Sequence, residues 1–205
     1  MNPASPAPDR LLAAARDLFR RHGYDGTSVR DLTARAHVNL GAVTYYFGSK
    51  QALYHATLSA VAEPFAERIA EAARQPGPPL DRIVAALRAG LAYLGEHPEA
   101  PAFLFRELAS DRALPAPIAR LMKRNVGTLA ALVREGQRDG SIRDGDPVLL
   151  ALSAISQAFF LRSAARIIRD ALDIDPQSPR QWARVVDHVA ESVRRTLDNH
   201  QGISA

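Results

Sequence analysis

The sequence predicts an all-α fold, in which a small three-helix domain near the N-terminus is followed by a larger bundle of helices. Apolar residues recur at three- and four-residue steps through almost the whole chain, and prolines and glycines divide it into segments of helical length. The sequence contains no strand-like alternation of useful length. The chain has 205 residues, of which 47% are hydrophobic and 23% charged, so it can bury a sizeable core.

The N-terminal domain is predicted to hold three helices. Leu11 begins a periodic apolar run that stops at Gly23, which predicts the first helix. Ser28, with Asp31 three residues later, is close to a capping box and predicts the start of a second helix. Asn39 is expected to cap a third, shorter helix. The second and third helices are expected at 28–36 and 40–46.

A second helical domain is expected to follow. The run Pro-Gly-Pro-Pro at 76–79 cannot stay helical and must end the long helix that precedes it. We expect a disordered tail over residues 1–8, a helix-turn-helix domain over 9–55 and the second domain over 56–200. The helices predicted beyond the third are 49–74, 80–95, 100–110, 115–139, 146–172 and 179–198.

Composition and motifs exclude several classes of protein. The chain has no cysteine, so disulfide frameworks, thiolate zinc sites and cysteine nucleophiles are excluded. Its six histidines form no metal-spaced pair with acids, and the sequence has neither a glycine-rich phosphate loop nor a serine in a nucleophile elbow. We therefore expect no catalytic activity, no cofactor and no metal site.

Targeting and membrane segments are not expected. The first ten residues lack the apolar core of a secretory signal. The longest nearly apolar run, 148–161, is shorter than the roughly 20 residues that a membrane-spanning helix needs. The sequence thus predicts a soluble, cytoplasmic protein with no membrane partner.

Positive charge is concentrated near the N-terminus. Residues 1–50 hold seven Lys and Arg against four Asp and Glu, whereas the remaining residues hold 19 against 18. A basic end on a neutral body fits attraction to a polyanion. On charge alone, an ordinary solvated surface explains the pattern equally well.

Residues 28–47 have the dimensions of a helix-turn-helix, a motif whose second helix enters the major groove of DNA. The apolar spacing leaves Leu40, Gly41, Thr44 and Tyr45 on the outer face of that helix. Small and hydroxyl-bearing residues let the helix backbone lie deep in the groove, and Thr44 and Tyr45 can reach base edges. These four residues are the candidates for base contacts.

Candidate phosphate contacts surround this helix. The free N–H groups at the start of the second helix, with the hydroxyls of Thr27 and Ser28, can hold a phosphate oxygen. Tyr46 and Lys50 can hold the DNA backbone on the other side. A Thr-Ser pair before a helix is usually only a cap, and an aromatic run is usually core. Their ordered combination favours contact with duplex DNA.

The stretch FRRHGYDGTSVRDLTARAHVNLGAVTYYFGSKQALY, residues 19–54, resembles the DNA-binding domain of TetR-family regulators. The resemblance covers residues 10–58. It implies a dimer with an all-helical ligand-binding body, which releases double-stranded operator DNA when a small molecule binds. By position, it also implies phosphate contacts for Thr27, Ser28, Tyr46 and Lys50, and groove-facing roles for Gly41, Thr44 and Tyr45.

Two residues depart from the family pattern. His37 stands in the turn where glycine is frequent, and its left-handed backbone is tolerable, though less easily than for glycine. Leu40 stands where a polar or basic residue is frequent; it could touch a thymine methyl group or pack sideways. Leu40 is the one support for an alternative function, a helical small-molecule-binding protein whose helix-turn-helix no longer binds DNA specifically.

A ligand pocket is expected among the helices of the second domain. Aromatic and polar residues on otherwise apolar helices are the candidate lining: Tyr93, Phe103, Arg106, Gln157 and Phe160. This lining predicts an apolar small-molecule effector, aromatic or planar in character. The alternative is that the aromatics are core and that Arg106 pairs with a local acid, Glu107 or Asp111.

A homodimer interface is expected on the last helices. The run 148–161 is apolar on nearly every side and must be covered on nearly every side, while the final helix carries a broad apolar stripe. Both could pack against the same pair in a second chain. The alternative is a monomer whose own helices cover this surface. The candidate interface residues are Leu152, Ile155, Phe159, Trp182, Val186, Val189 and Val193.

Overall fold

A computed structural model describes residues 6–97, 100, 113–172, 175 and 178–199. Within these residues the regular structure is helical, apart from an isolated bridge between Ile142 and Asp198, so the predicted all-α fold is confirmed. Apart from Ala100, the predicted helix at 100–110 lies outside the described residues. The helices are α1 Ala7–His22, α2 Val29–Ala36, α3 Ala42–Phe47, α4 Lys50–Ala73, α5 Pro79–Glu96, α6 Ala116–Asp139, α7 Pro147–Ser163, α8 Ala165–Leu172 and α9 Pro179–Leu197.

The described residues fall into two compact units. The first contains the chain up to Ala62 and the residues from 113 to Ala119. The second contains the described residues from Glu63 to Ala100 and from Arg120 onward. Helices α4 and α6 each contribute residues to both units.

In the first unit, α1 packs against α2, and the short α3 packs against both. Leu11, Leu32 and Leu53 have no exposed surface, because each lies on the apolar stripe of its helix. The ring of Phe19 on α1 meets that of Tyr54 on α4 edge to face, with centroids 4.8 Å apart, an arrangement that aromatic quadrupoles favour. This core fixes the positions of α2 and α3.

The chain becomes helical earlier than the predicted tail allows. Helix α1 begins at Ala7, with Pro6 as its N-cap and Pro8 in its first turn. Proline suits the first helical turn because its φ is already helical and its missing N–H would have no intrahelical partner. The prediction of a disordered tail over 1–8 is therefore wrong for the last two of those residues; 1–5 lie outside the described residues.

In the second unit, α5 and α9 pack side by side. The indole Nε1 of Trp182 on α9 donates a hydrogen bond to the backbone oxygen of Leu91 on α5, at 3.0 Å. Gly95 makes room for this ring, since a Cβ atom there would lie 2.6 Å from two ring atoms of Trp182. Val189 and Val193 continue the buried stripe of α9.

Two predicted helix boundaries need correction. Helix α3 begins at Ala42 and not at 40, because Gly41 is the N-cap and no side chain caps the helix; Asn39 contributes only its backbone oxygen, which accepts from the Ala42 N–H at 3.1 Å. The predicted helix over 146–172 is interrupted at Ala164, which separates α7 from α8.

Candidate nucleic-acid interface

The start of α2 is fixed by a reciprocal capping box, as the sequence predicts. The Ser28 hydroxyl oxygen accepts from the Asp31 N–H at 3.1 Å, and the Ser28 N–H donates to the Asp31 carboxylate at 3.0 Å. The Ser28 hydroxyl also donates to that carboxylate, at 2.6 Å. These bonds favour the ionised carboxylate, so they lower the pKa of Asp31 below its ordinary value. An acidic group of the chain itself therefore lies at this helix N-terminus.

The turn between α2 and α3 has the left-handed residue that the sequence predicts. His37 has φ 53° and ψ 51°, a conformation in which histidine is enriched among residues other than glycine. The Val38 N–H donates to the Thr33 oxygen at 3.0 Å, which satisfies a carbonyl at the end of α2. The turn thereby sets the direction in which α3 leaves α2.

The outer face of α3 and its preceding turn is exposed. Tyr45 is 81% exposed and Leu40 is 59% exposed, while Gly41 and Thr44 are exposed beside them. The opposite face of α3 is buried through Ala42 and Val43. All four candidate base contacts are thus available to a partner, and their roles remain predictions.

The candidate phosphate contacts separate into accessible and inaccessible groups. Thr27 is only 1% exposed and its hydroxyl donates to the Gly23 oxygen at 2.8 Å. The prediction of a phosphate contact through this hydroxyl is therefore wrong, because the group is buried and already bonded. Ser28 is exposed but shares its hydroxyl with Asp31, whereas Tyr46 is exposed.

Lys50 is half-buried and contacts the turn between α1 and α2. Its Nζ donates to the Thr27 oxygen at 2.8 Å and lies 4.1 Å from the centroid of the Tyr24 ring. The ammonium thus satisfies a backbone acceptor and makes a cation–π contact. Because an ammonium has three N–H donors, this arrangement leaves N–H groups that can donate to a phosphate oxygen.

Arg30 is a cation that the sequence reasoning missed. It lies exposed in the first turn of α2, and its side chain makes no hydrogen bond or ion pair within the part of the chain that the structure describes. The signal that could have found it is a basic residue two positions after the Ser28 cap. An unpaired guanidinium at that place is a further candidate phosphate contact.

Positive charge is also in excess at the end of α1. The guanidinium groups of Arg20, Arg21 and Arg35 all lie within 3.4 Å of the single carboxylate of Asp17. The hydrogen bond from Arg21 is the main reason that the pKa of Asp17 is lowered. One carboxylate cannot neutralise three cations, so this surface retains positive charge.

The candidate pocket residues have different environments. Tyr93 is buried, with its ring centroid 6.0 Å from that of Phe65 and 4.3 Å from that of His97. Gln157 is half-buried. Phe160 is 65% exposed, which corrects its prediction as pocket lining, because an enclosed pocket would cover the ring. Phe103 and Arg106 lie outside the described residues.

The candidate dimer residues also differ in how much of their surface is exposed. Trp182, Val189 and Val193 are buried inside their own subunit; their prediction as interface residues is wrong, because they have almost no surface left for a second chain to cover. Leu152 is 40% exposed, and Ile155 and Val186 are half-buried, so these three stay predictions. The side chain of Phe159 is not among those that the structure describes.

None of the described helices combines the length and apolar character that crossing a bilayer requires. No cluster of three or more His, Asp or Glu side chains suited to a metal ion occurs in the described part of the chain.

Comparison with known proteins gives matches over both units. Residues 11–57 match the family described as bacterial regulatory proteins, tetR family, and residues 79–193 match the family described as tetracyclin repressor-like, C-terminal domain. The second match alone covers more than half of the chain.

One similar protein is the HTH-type transcriptional regulator RutR of Escherichia coli (strain K12). It is 31% identical over 125 residues, which are 61% of this chain and 56% of RutR. The matched stretch therefore spans little more than half of that relative.

Two solved structures share the fold. FadR from Bacillus subtilis, in complex with stearoyl-CoA, has a TM-score of 0.75 and 17% identity over 92% of this chain and 98% of its own. AibR, in complex with isovaleryl coenzyme A and operator DNA, has a TM-score of 0.73 and 18% identity over 91% of this chain and 97% of its own.

Proposed function

Because the chain belongs to the TetR family of bacterial regulatory proteins, we propose that it is a ligand-responsive transcriptional regulator. In this proposal it is a repressor that binds a palindromic operator in double-stranded DNA as a homodimer, and a small-molecule effector releases it. Regulation of this kind takes place in the cytoplasm, where bacterial DNA lies. The observation that supports it most directly is the exposed outer face of α3, whose opposite face is buried through Ala42 and Val43.

The exposed face has the chemistry of base readout. Tyr45 and Leu40 are large side chains that the first unit leaves in solvent, so a partner that covers them would gain from burying their apolar surface. A leucine can contact the thymine methyl group, and the Thr44 and Tyr45 hydroxyls can bond base edges in the major groove. Arg30, Tyr46 and Lys50 would hold the phosphates on either side. Ser28 would join them only when its hydroxyl leaves the Asp31 carboxylate.

The dimer in this proposal forms through α7. Leu149, Leu152 and Phe160 are all exposed on this helix, and Ile155 is half-buried beside them. Val186 is the residue of α9 that would extend this surface. A two-fold dimer presents two recognition helices to half-sites about one helical turn apart or a multiple of that spacing.

The effector in this proposal is predominantly apolar. Its support is the apolar interior of the second unit, where the rings of Phe65 and Tyr93 meet. The acyl-CoA ligands of FadR and AibR carry apolar chains. At identities of 17% and 18%, however, these proteins are evidence only for the fold of this chain and not for its ligand.

Selection of DNA fragments by the purified protein tests the proposal. Sequencing of the bound fragments should recover a palindrome, and gel shifts at two salt concentrations should show tight binding that weakens steeply with salt. Tyr45→Ala should change which operator is preferred. If no sequence is enriched and no duplex is bound, the alternative of a binding protein with an inactive helix-turn-helix is correct.

A further inference from the structure

Helix α6 carries one polar residue in the middle of its buried apolar stripe. Leu121, Asn125, Leu129 and Leu132 follow one another at steps of three or four residues, so they share one face of the helix. All four are buried, and Asn125 is only 4% exposed. The stripe is therefore continuous except for a single carboxamide.

The side-chain amide of Asn125 has no hydrogen-bond partner among the residues that the structure describes. Thr27, Thr33 and Thr57 are also buried polar residues, and each hydroxyl donates to a nearby backbone oxygen, at 2.8, 3.0 and 2.7 Å respectively. Asn125, by contrast, makes no hydrogen bond within the part of the chain that the structure describes. A buried amide with two donors and an acceptor all unused is strongly unfavourable, and such a group needs a physical explanation.

A water molecule alone is a poor explanation. A buried water needs two to four polar partners, and the neighbours of Asn125 one turn away on its face are Leu121 and Leu129. A small molecule differs from water here, because its apolar body can lie against the leucines while one polar atom bonds the amide.

We propose that Asn125 is the polar anchor of the effector site, and that the effector presents to it a neutral carbonyl, amide or hydroxyl group. This inference rests on the proposed function, whose effector it describes more closely. A carboxamide can donate and accept, so it matches any of these groups.

The charges on the described helix α6 favour neutrality of the bound group. The neighbouring cations lie on the solvent side: Lys123 is exposed, and Arg124 pairs with Glu63 at 2.7 Å. Neither provides a counter-ion for a charge buried beside Asn125, and an unpaired buried charge is far more costly than a buried neutral group.

Nuclear magnetic resonance with a minimal probe tests the inference without knowledge of the effector. The side-chain amide signals of Asn125 are identified by their absence from the spectrum of Asn125→Leu. N-methylacetamide should shift these signals saturably, and acetate at equal concentration and ionic strength should not. The inference is overturned if N-methylacetamide causes no saturable shift, or if acetate causes an equal one.

The stability of the ligand-free protein gives a second readout. Asn125→Leu replaces an unsatisfied amide by an apolar group with the same number of heavy atoms and should raise the Tm by about 2 to 4 °C. The matched control is Thr128→Val on the next turn, whose hydroxyl donates to the Arg124 oxygen at 2.9 Å and whose loss should give no rise. A lower Tm for both Asn125→Leu and the smaller Asn125→Val would show that the amide is satisfied without a ligand, since overpacking would lower the Tm of the leucine variant more.

Neither readout involves DNA. A protein that failed to bind any duplex would therefore disprove the proposed function while leaving the Asn125 results interpretable. Conversely, if the protein binds an operator but neither Asn125 test gives the expected result, the proposed function stands and only the inference about its effector is disproved.

Discussion

The ammonium group of Lys50 links the start of α4 to the turn before α2 through two contacts, the Thr27 oxygen and the Tyr24 ring. Lys50→Met keeps the apolar stem and removes both contacts, so we expect the free energy of unfolding to fall by about 1–2 kcal/mol. Urea unfolding measures this. The control is Lys123→Met, at an exposed lysine of α6, which should change stability by less than about 0.5 kcal/mol.

The same residue distinguishes two ways of acting on DNA. If Lys50 also holds a phosphate, Lys50→Ala should weaken binding to all duplex sequences alike and reduce the slope of log affinity against log salt by about 1. An unchanged slope with weaker binding would mean that Lys50 only positions α2 and α4. A changed operator preference at unchanged affinity would contradict both roles.

The Asp31 carboxylate makes the stability of α2 dependent on pH. Its pKa is lowered in the folded protein because the Ser28 hydroxyl and N–H donate to the ionised form. The stabilisation is therefore present above the pKa of the unfolded chain and is lost as the pH falls through the lower folded pKa. Asp31→Asn should be less stable than the natural protein at pH 7, and the gap in urea midpoints should narrow below about pH 4. A gap independent of pH would contradict this.

At the scale of helices, the sequence predicts elements whose ends are determined by neighbouring residues. Helix α2 is predicted well because its cap at Ser28 and its left-handed end at His37 are both local. The start of α3 is missed because Gly41 and the backbone of Asn39 form it, and backbone turns carry little side-chain information.

Contacts between distant residues explain the failures at the candidate sites. The Lys50–Thr27 bond uses a backbone oxygen, which every residue has, so no residue type indicates it. The stripe of α9 is predicted correctly as apolar, but its spacing cannot show that α5 covers it. The spacing therefore predicts Trp182 to contact a second chain, although the Leu91 oxygen of its own chain accepts its indole N–H.

The close packing of α5 on α9 can be tested at its glycine. Gly95→Ala places a methyl group 2.6 Å from the Trp182 ring, so we expect the free energy of unfolding to fall by about 1–2 kcal/mol, despite the better helix propensity of alanine. Gly127→Ala is the matched control. Its Cβ meets nothing within 4 Å, and the variant should gain about 0.5–1 kcal/mol. Equal effects of the two substitutions in urea unfolding would contradict the packing.

At the scale of the whole molecule, the fold and the specificity depend on different residues. FadR and AibR keep the same fold at 17% and 18% identity, so buried apolar pattern, not residue identity, determines the architecture. In the proposed function, operator and effector choice would then lie in residues outside the shared apolar pattern, such as Tyr45 and Asn125.

The proposed homodimer can be tested on α7. Leu152 is 40% exposed in the middle of α7, and a charge there would be buried without a partner if two copies of α7 pack together. Leu152→Glu should therefore give a monomer in analytical ultracentrifugation, with an unchanged helical spectrum. Because one subunit contacts only half a palindrome, its operator affinity should fall at least 100-fold, which corresponds to about 3 kcal/mol. The control is Ala131→Glu, at an exposed position of α6, which should remain dimeric. A Leu152→Glu protein that stays dimeric and binds its operator would show that α7 is not the interface.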